Sequence, residues 1–126
     1  MNYKKELKQY KLLALARKLI VSPEAWTKGV YARDLEGNKC GTWRKESCKF
    51  CAIGAIRAAH GLLGYKTGDP ASWRSAREVL KCVNGEQKWR CLEHWNDHPE
   101  TKHAEVISAF DAAIDVKSAK IEASQC

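Results

Sequence analysis

The stretch 49–63, KFCAIGAIRAAHGLL, constrains this chain more than any other. Wound at about 100° per residue, Phe50, Cys51, Ile53, Ala55, Ile56, Ala58, Ala59 and Leu62 leave almost no polar face. Only Lys49, Arg57 and His60 mark a wetter edge. A helix that is apolar nearly all round has to be enclosed by other elements. The sequence therefore predicts a central helix over 48–63, with Ser47 as its cap and Gly54, Ala55, Ala58 and Ala59 leaving room for a close neighbour.

The rest of the chain can supply the enclosure. It has 126 residues, 44% of them hydrophobic and 29% charged, which suits one domain over 1–126 with a real core. A first helix is expected over 3–20, with Leu12, Leu13, Ala16, Leu19 and Ile20 on one side and Lys4, Lys8, Lys11 and Lys18 on the other. Leu7 and Leu15 break that pattern, so this helix should touch two neighbours. Ser22-Pro23 signals a short helix carrying Trp26 and stopping near Gly29. Gly37-Asn38 and Gly41 then mark turns in an irregular stretch, or a short hairpin, up to Glu46. Asp69-Pro70 opens a fourth helix running to about Val83 and ending at Asn84-Gly85. Its expected buried side is Trp73, Ala76, Val79, Leu80 and Val83, with Arg74, Arg77 and Lys81 outside. A short helix over 87–95 and a last helix over 97–122 complete the list; the last has Val106, Ile107, Phe110, Ala113, Ile114 and Ile121 inward and Asp97 with Glu100 as a capping box. No stretch alternates with period two, so the expected fold is mainly α, five to six helices around the central one.

Composition also limits function. No run of about 18 apolar residues exists, so no membrane partner is expected. Lys11, Arg17 and Lys18 interrupt the Leu-rich start, which therefore does not read as a secretory signal; a cytoplasmic protein is expected. The six cysteines accordingly read as free thiols. Residues 1–90 carry 19 basic and 8 acidic side chains, residues 91–126 carry 3 and 7, and the net charge is +7. Such a field attracts an anionic macromolecule, a nucleotide or an acidic protein face. Lys4, Lys8, Lys11, Arg74, Arg77 and Lys81 are the residues expected to steer it. Trp26, Tyr31, Trp43, Trp73, Trp89 and Trp95 are mostly flanked by Lys or Arg, a composition that suits stacking on bases and protein hot spots alike.

Three constellations could carry chemistry. Cys51 near the start of the central helix could be a thiolate nucleophile, with His60, His94, His98 or His103 as base and Asn96 or Asp97 orienting it. Papain-like enzymes share that topology, but nothing here supplies the strands on which their His and Asn sit. Cys48-x-x-Cys51 and Cys91-x-x-His94 have zinc-ligand spacing, although both pairs fall in expected helices, and zinc is the only cofactor the sequence suggests. Trp95-Asn96-Asp97 could floor a pocket, with Arg33 or Arg57 holding a ligand's charge.

The order W26TKGVYARDLEG37, C51AIGAI56, W95ND97 and a final helix with EVISAFDAAI resembles a family of small bacterial and phage proteins known only as a domain of unknown function. The resemblance runs from the first helix to about Ile114. It singles out Arg33, Asp34, Cys51, Asn96 and Asp97, and supplies no mechanism. It implies a phage or prophage origin and action by binding a host component, such as a host protein that is inhibited or sequestered. The leading expectation is thus a non-enzymatic binding module. Its site is formed by the Arg33/Asp34 loop, the start of the central helix and Trp95-Asn96-Asp97. A thiol-dependent hydrolase or transferase and a zinc-stabilised adaptor are the alternatives.

Overall fold

A computed structural model describes residues 3–84 and 89–125 of the chain. The described residues form α1 (Tyr3–Leu19), a 3-10 turn (Pro23–Ala25), β1 (Ala32–Arg33), β2 (Lys49–Phe50), α2 (Ala52–Leu62), α3 (Ala71–Val83), α4 (Leu92–Asp97) and α5 (His103–Ser124). The fold is mainly α, as its periodicity predicts. Helix α2 is central: Ala52, Ala55, Ile56 and Ala59 are fully or almost fully buried among Leu13, Phe110 and the rest of one hydrophobic cluster. Helix α1 buries Leu12, Leu13, Ala16 and the following Ile20, and it packs on three helices, α2, α3 and α5, rather than two. No helix among the described residues is long and apolar enough to cross a membrane.

The expected helix over 48–63 begins four residues late. Lys49 and Phe50 pair antiparallel with Arg33 and Ala32. Cys51 N–H donates to the Tyr31 carbonyl at 3.2 Å, which holds Cys51 extended and makes it the cap. Ser47 does not cap; its hydroxyl donates to the Arg44 carbonyl. The paired strands are two residues long, too short for alternation to show in sequence. Gly54 is needed here, because a Cβ at that position would lie 1.8 Å from the Tyr31 carbonyl oxygen.

Other boundaries move for similar local reasons. The Trp26 segment is a single 3-10 turn, since Ser22 bonds the Glu24 carboxylate instead of a backbone donor and Trp26 bridges Phe50 in extended form. Asp69 accepts the Ala71 N–H at 2.9 Å, but α3 starts at Ala71 and Pro70, not Asp69, stands at its cap. The last helix starts at His103, not Asp97: α4 runs on to Asp97, a turn follows, and Glu105 accepts the Lys102 N–H at 2.9 Å. The expected helix over 87–95 is the shorter Leu92–Asp97, and Gly85, Gln87 and Lys88 lie outside the described residues.

Helix α3 departs most from its expected face. It buries Ala71, Ser75, Glu78 and Val79, which leaves Trp73 on the opposite side and 55% exposed. The buried side contains two polar residues, so hydrophobicity alone misplaces it. Glu78 is matched by charge. Lys117 of α5, only 4% exposed, lies 3.0 Å from the Glu6 carboxylate of α1 and 3.4 Å from that of Glu78, so one ammonium ties three helices together. Ser75 is not matched: its buried hydroxyl has no hydrogen-bond partner among the described residues. Ser75→Ala should therefore stabilise the fold by up to about 1 kcal/mol, by removing an unpaired polar atom and improving helix propensity. A rise in thermal midpoint checks this, and a clear fall would show that the hydroxyl has a partner in solution.

Candidate functional site

Residues 26–38, the start of α2 and the end of α4 meet through Asn96. Its Oδ1 accepts the Trp26 indole N–H at 2.7 Å and the Ala52 N–H at 3.0 Å. Its Nδ2 donates to the Thr27 carbonyl at 3.1 Å and to Asp97 Oδ1 at 3.0 Å. An asparagine side chain offers two donor hydrogens and two lone pairs, so Asn96 is saturated within the fold. The same Asp97 oxygen accepts the Gly29 N–H at 2.9 Å.

Arg33 is also directed inward. It donates from Nε to Thr27 Oγ1 at 2.8 Å, from Nη1 to the Gly37 carbonyl at 3.0 Å and from Nη2 to the Lys28 carbonyl at 3.1 Å. Asp34 closes the hairpin tip by accepting the Asn38 N–H at 2.9 Å. Trp95 packs in the core. The start of α2 is closed as well, since Ala52 N–H goes to Asn96 and Gly54 N–H goes to the Cys51 sulfur at 3.3 Å. Asn96 and Asp97 thus form a lock that braces loop 26–38 against two helix ends, Arg33 ties that loop internally, and the Asp34 side chain bonds at its hairpin tip. A hollow of about 370 Å³ beside it touches Gly29, Tyr31, Lys39, Cys51, Glu93 and Asp97.

The chemistry expected of Cys51 does not follow from its placement. Burial pushes its thiol up to about 11, outweighing the Gly54 and Ile53 N–H groups that favour thiolate, and Asp97 and Glu93 push the same way. His60 bonds Lys66 and Ser72, His98 accepts from Glu100, His103 bonds the Ile20 carbonyl, and His94 is exposed on α4. Alkylation should reach exposed Cys48 well before Cys51 in the native chain, read by peptide mass spectrometry; early modification of Cys51 would contradict this burial. The raised value also fixes a sign. The buried thiol's contribution to stability is fully present below its ordinary 9.0 and is lost as pH rises from there through about 11, because the unfolded chain ionises first.

The four residues with zinc-ligand spacing, Cys48, Cys51, Cys91 and His94, do not gather into a metal-holding group among the described residues. Cys48 is exposed, Cys51 buried and Cys91 half-buried at the cap of α4, and no three His, Cys, Asp or Glu side chains gather to hold a metal ion among the described residues. The five described cysteines, Cys40, Cys48, Cys51, Cys82 and Cys91, are free thiols.

The residues expected to steer a partner lie as basic stripes on two helices, α1 and α3. Helices α1 and α3 pack together and merge them into one basic face. One hollow is lined by Lys4, Lys5, Lys8 and Arg74, and the adjoining one by Arg74, Arg77, Lys81 and Lys120 around exposed Trp73. The Glu6–Lys117–Glu78 cluster forms the floor of the second hollow. The Arg74 guanidinium lies 5.4 Å from the Trp73 ring centre. Lys8 pairs with Asp69, and Lys11 is exposed on α1 outside both hollows.

Residues 6–116 match a family model described as a family of unknown function, DUF6197. The chain belongs to that family. The matched span contains the whole Asn96 lock, whereas Lys4, Lys5, Lys117 and Lys120 of the basic face lie outside it. No curated protein and no solved structure matches the chain.

Proposed function

We propose that this chain is a non-catalytic binding protein that holds an anionic macromolecule, nucleic acid foremost, on the α1–α3 face. The observation that carries this reading is the joining of the two basic stripes at Lys5 and Arg74, with exposed Trp73 lining one of the two hollows. Lys4, Lys5, Lys8, Arg74, Arg77, Lys81 and Lys120 border one continuous surface. Cations spaced along a groove can follow a phosphate backbone, and an exposed indole beside them offers a stacking platform for a base. The Asn96 lock then acts as a frame, since its polar groups are matched within the fold. A cytoplasmic setting and a phage-derived role against a host component are compatible with this reading.

Fluorescence anisotropy with labelled oligonucleotides of mixed sequence tests it. If about four cations meet phosphates, the affinity for duplex should fall by roughly two orders of magnitude between about 50 and 200 mM salt. Arg74→Glu with Arg77→Glu should abolish the binding without unfolding the chain, because Arg77 is exposed and Arg74 half-buried on the outer side of α3. Salt-insensitive binding, or the absence of binding at low salt, would contradict the proposal.

A further inference from the structure

A separate hollow of about 560 Å³ lies between the loop 42–48 and α2. Leu19, Phe50, Ala58 and Leu62 give it apolar walls, and Trp43 overhangs it. Two of these side chains are unusually exposed for their type, Trp43 at 83% and Leu62 at 68%. The far edge of the Trp43 ring lies over Gly41, where a Cβ would stand 2.5 Å from it. The rim carries Arg44, Lys45 and Arg57, and no carboxylate lines the hollow. Glu46 pairs with Arg44 at 3.3 Å. The Arg57 guanidinium rests 4.3 Å from the Tyr31 ring centre, which holds that charge at the edge. We infer that this groove docks an acidic amphipathic helix of another protein, whose apolar side chains enter between Trp43 and Leu62 while its carboxylates meet Lys45 and Arg57.

The choice of occupant follows from the walls and rim. An apolar floor suits aliphatic or aromatic side chains better than phosphates, and a rim whose charged residues are all cations selects an acidic partner. Strand addition is not open to it, because Phe50 of β2 is already bridged by Trp26 and Arg33 of β1 by Lys39. Exposed Trp and Arg in one pocket are the residue types that dominate protein interfaces. The groove takes Leu19 at the far end of α1 from Lys5, roughly 20 Å away along the helix. It is therefore distinct from the basic α1–α3 face, and both could be filled at once.

The test is a display selection on the full chain from a random library of peptides of about 16 residues, roughly four helical turns. The Trp43→Ala/Leu62→Ser variant serves for counter-selection. Both positions are exposed, and an unchanged melting curve confirms the variant's fold. Enriched peptides should be acidic, with apolar residues at i, i+3 or i+4 and i+7. A synthetic copy should bind at least about tenfold more weakly to Trp43→Ala, the loss typical of a hot-spot truncation, and equally well to Arg74→Glu. Enrichment no better than on the variant overturns the inference. So does selection of neutral or basic peptides, or displacement of the bound peptide by an oligonucleotide. A self-associating chain whose dimer is lost on Trp43→Ala, seen by sedimentation, also overturns it, because the occupant is then a second copy.

Discussion

Asn96→Ala will lower stability by about 4 kcal/mol, the largest effect expected of any single substitution in this chain. Asn96 is 0% exposed, and its removal strands three groups: the Trp26 indole N–H, the Ala52 N–H and the Thr27 carbonyl. Each unpaired buried group costs roughly 1–3 kcal/mol, and water entering the small void recovers part of the total. For a chain of this length the loss corresponds to a fall in thermal midpoint of about 15 °C. Asn96→Asp separates hydrogen bonding from packing. It preserves shape but turns a carboxylate oxygen towards the Thr27 carbonyl and the Asp97 carboxylate, where Nδ2 now donates. A similar loss in both variants is expected from denaturant titration. A mild effect of Asn96→Asp would mean that the fold needs only the volume at this position.

Lys117→Met will cost about 3 kcal/mol. The methionine fills the path of the lysine stem, so what is lost is the charge between Glu6 and Glu78. Two carboxylates are then left facing each other in a largely buried place, which is the expensive way to break an ion pair. The figure sits at the low end of the usual range because Lys120 remains 4.0 Å from Glu78. Adding Glu6→Gln and Glu78→Gln should recover most of the loss, since the uncompensated charges are gone. A triple variant no more stable than Lys117→Met would show that the three helices depend on the ammonium itself rather than on charge balance.

These two residues also show where the sequence is readable and where it is not. Helix α2 announces itself because burial on all sides demands apolar residues all round. Nothing local marks Lys117 and Glu6 as buried, because burial of this charge is decided by a partner more than a hundred residues away. Trp73 is misread for the same reason: Ser75 and Glu78 occupy the inner face of α3, so the hydrophobic side and the buried side diverge. The resemblance picks out the polar residues Arg33, Asp34, Asn96 and Asp97 in the sequence; Arg33, Asn96 and Asp97 all bond residues 27–29, whereas Asp34 bonds at the hairpin tip. Their role could not be read there, because an asparagine that recognises a ligand and one that binds four of its own backbone or side-chain neighbours look alike until the partners are placed. The two-residue strands and the late start of α2 follow from pairing with residues 32–33, which period counting cannot detect.

Amide and indole chemical-shift mapping with a single-stranded oligonucleotide tests the division of labour between frame and face most directly. The expected result is saturable shifts at Lys5, Lys8, Trp73, Arg74, Arg77, Lys81 and Lys120, with the Trp73 indole signal among the largest and the Trp26 and Asn96 side-chain signals unmoved. Shifts centred on Gly29, Arg33, Cys51 and Asp97 would make the lock itself the binding site and contradict the assignment of the working surface to α1 and α3.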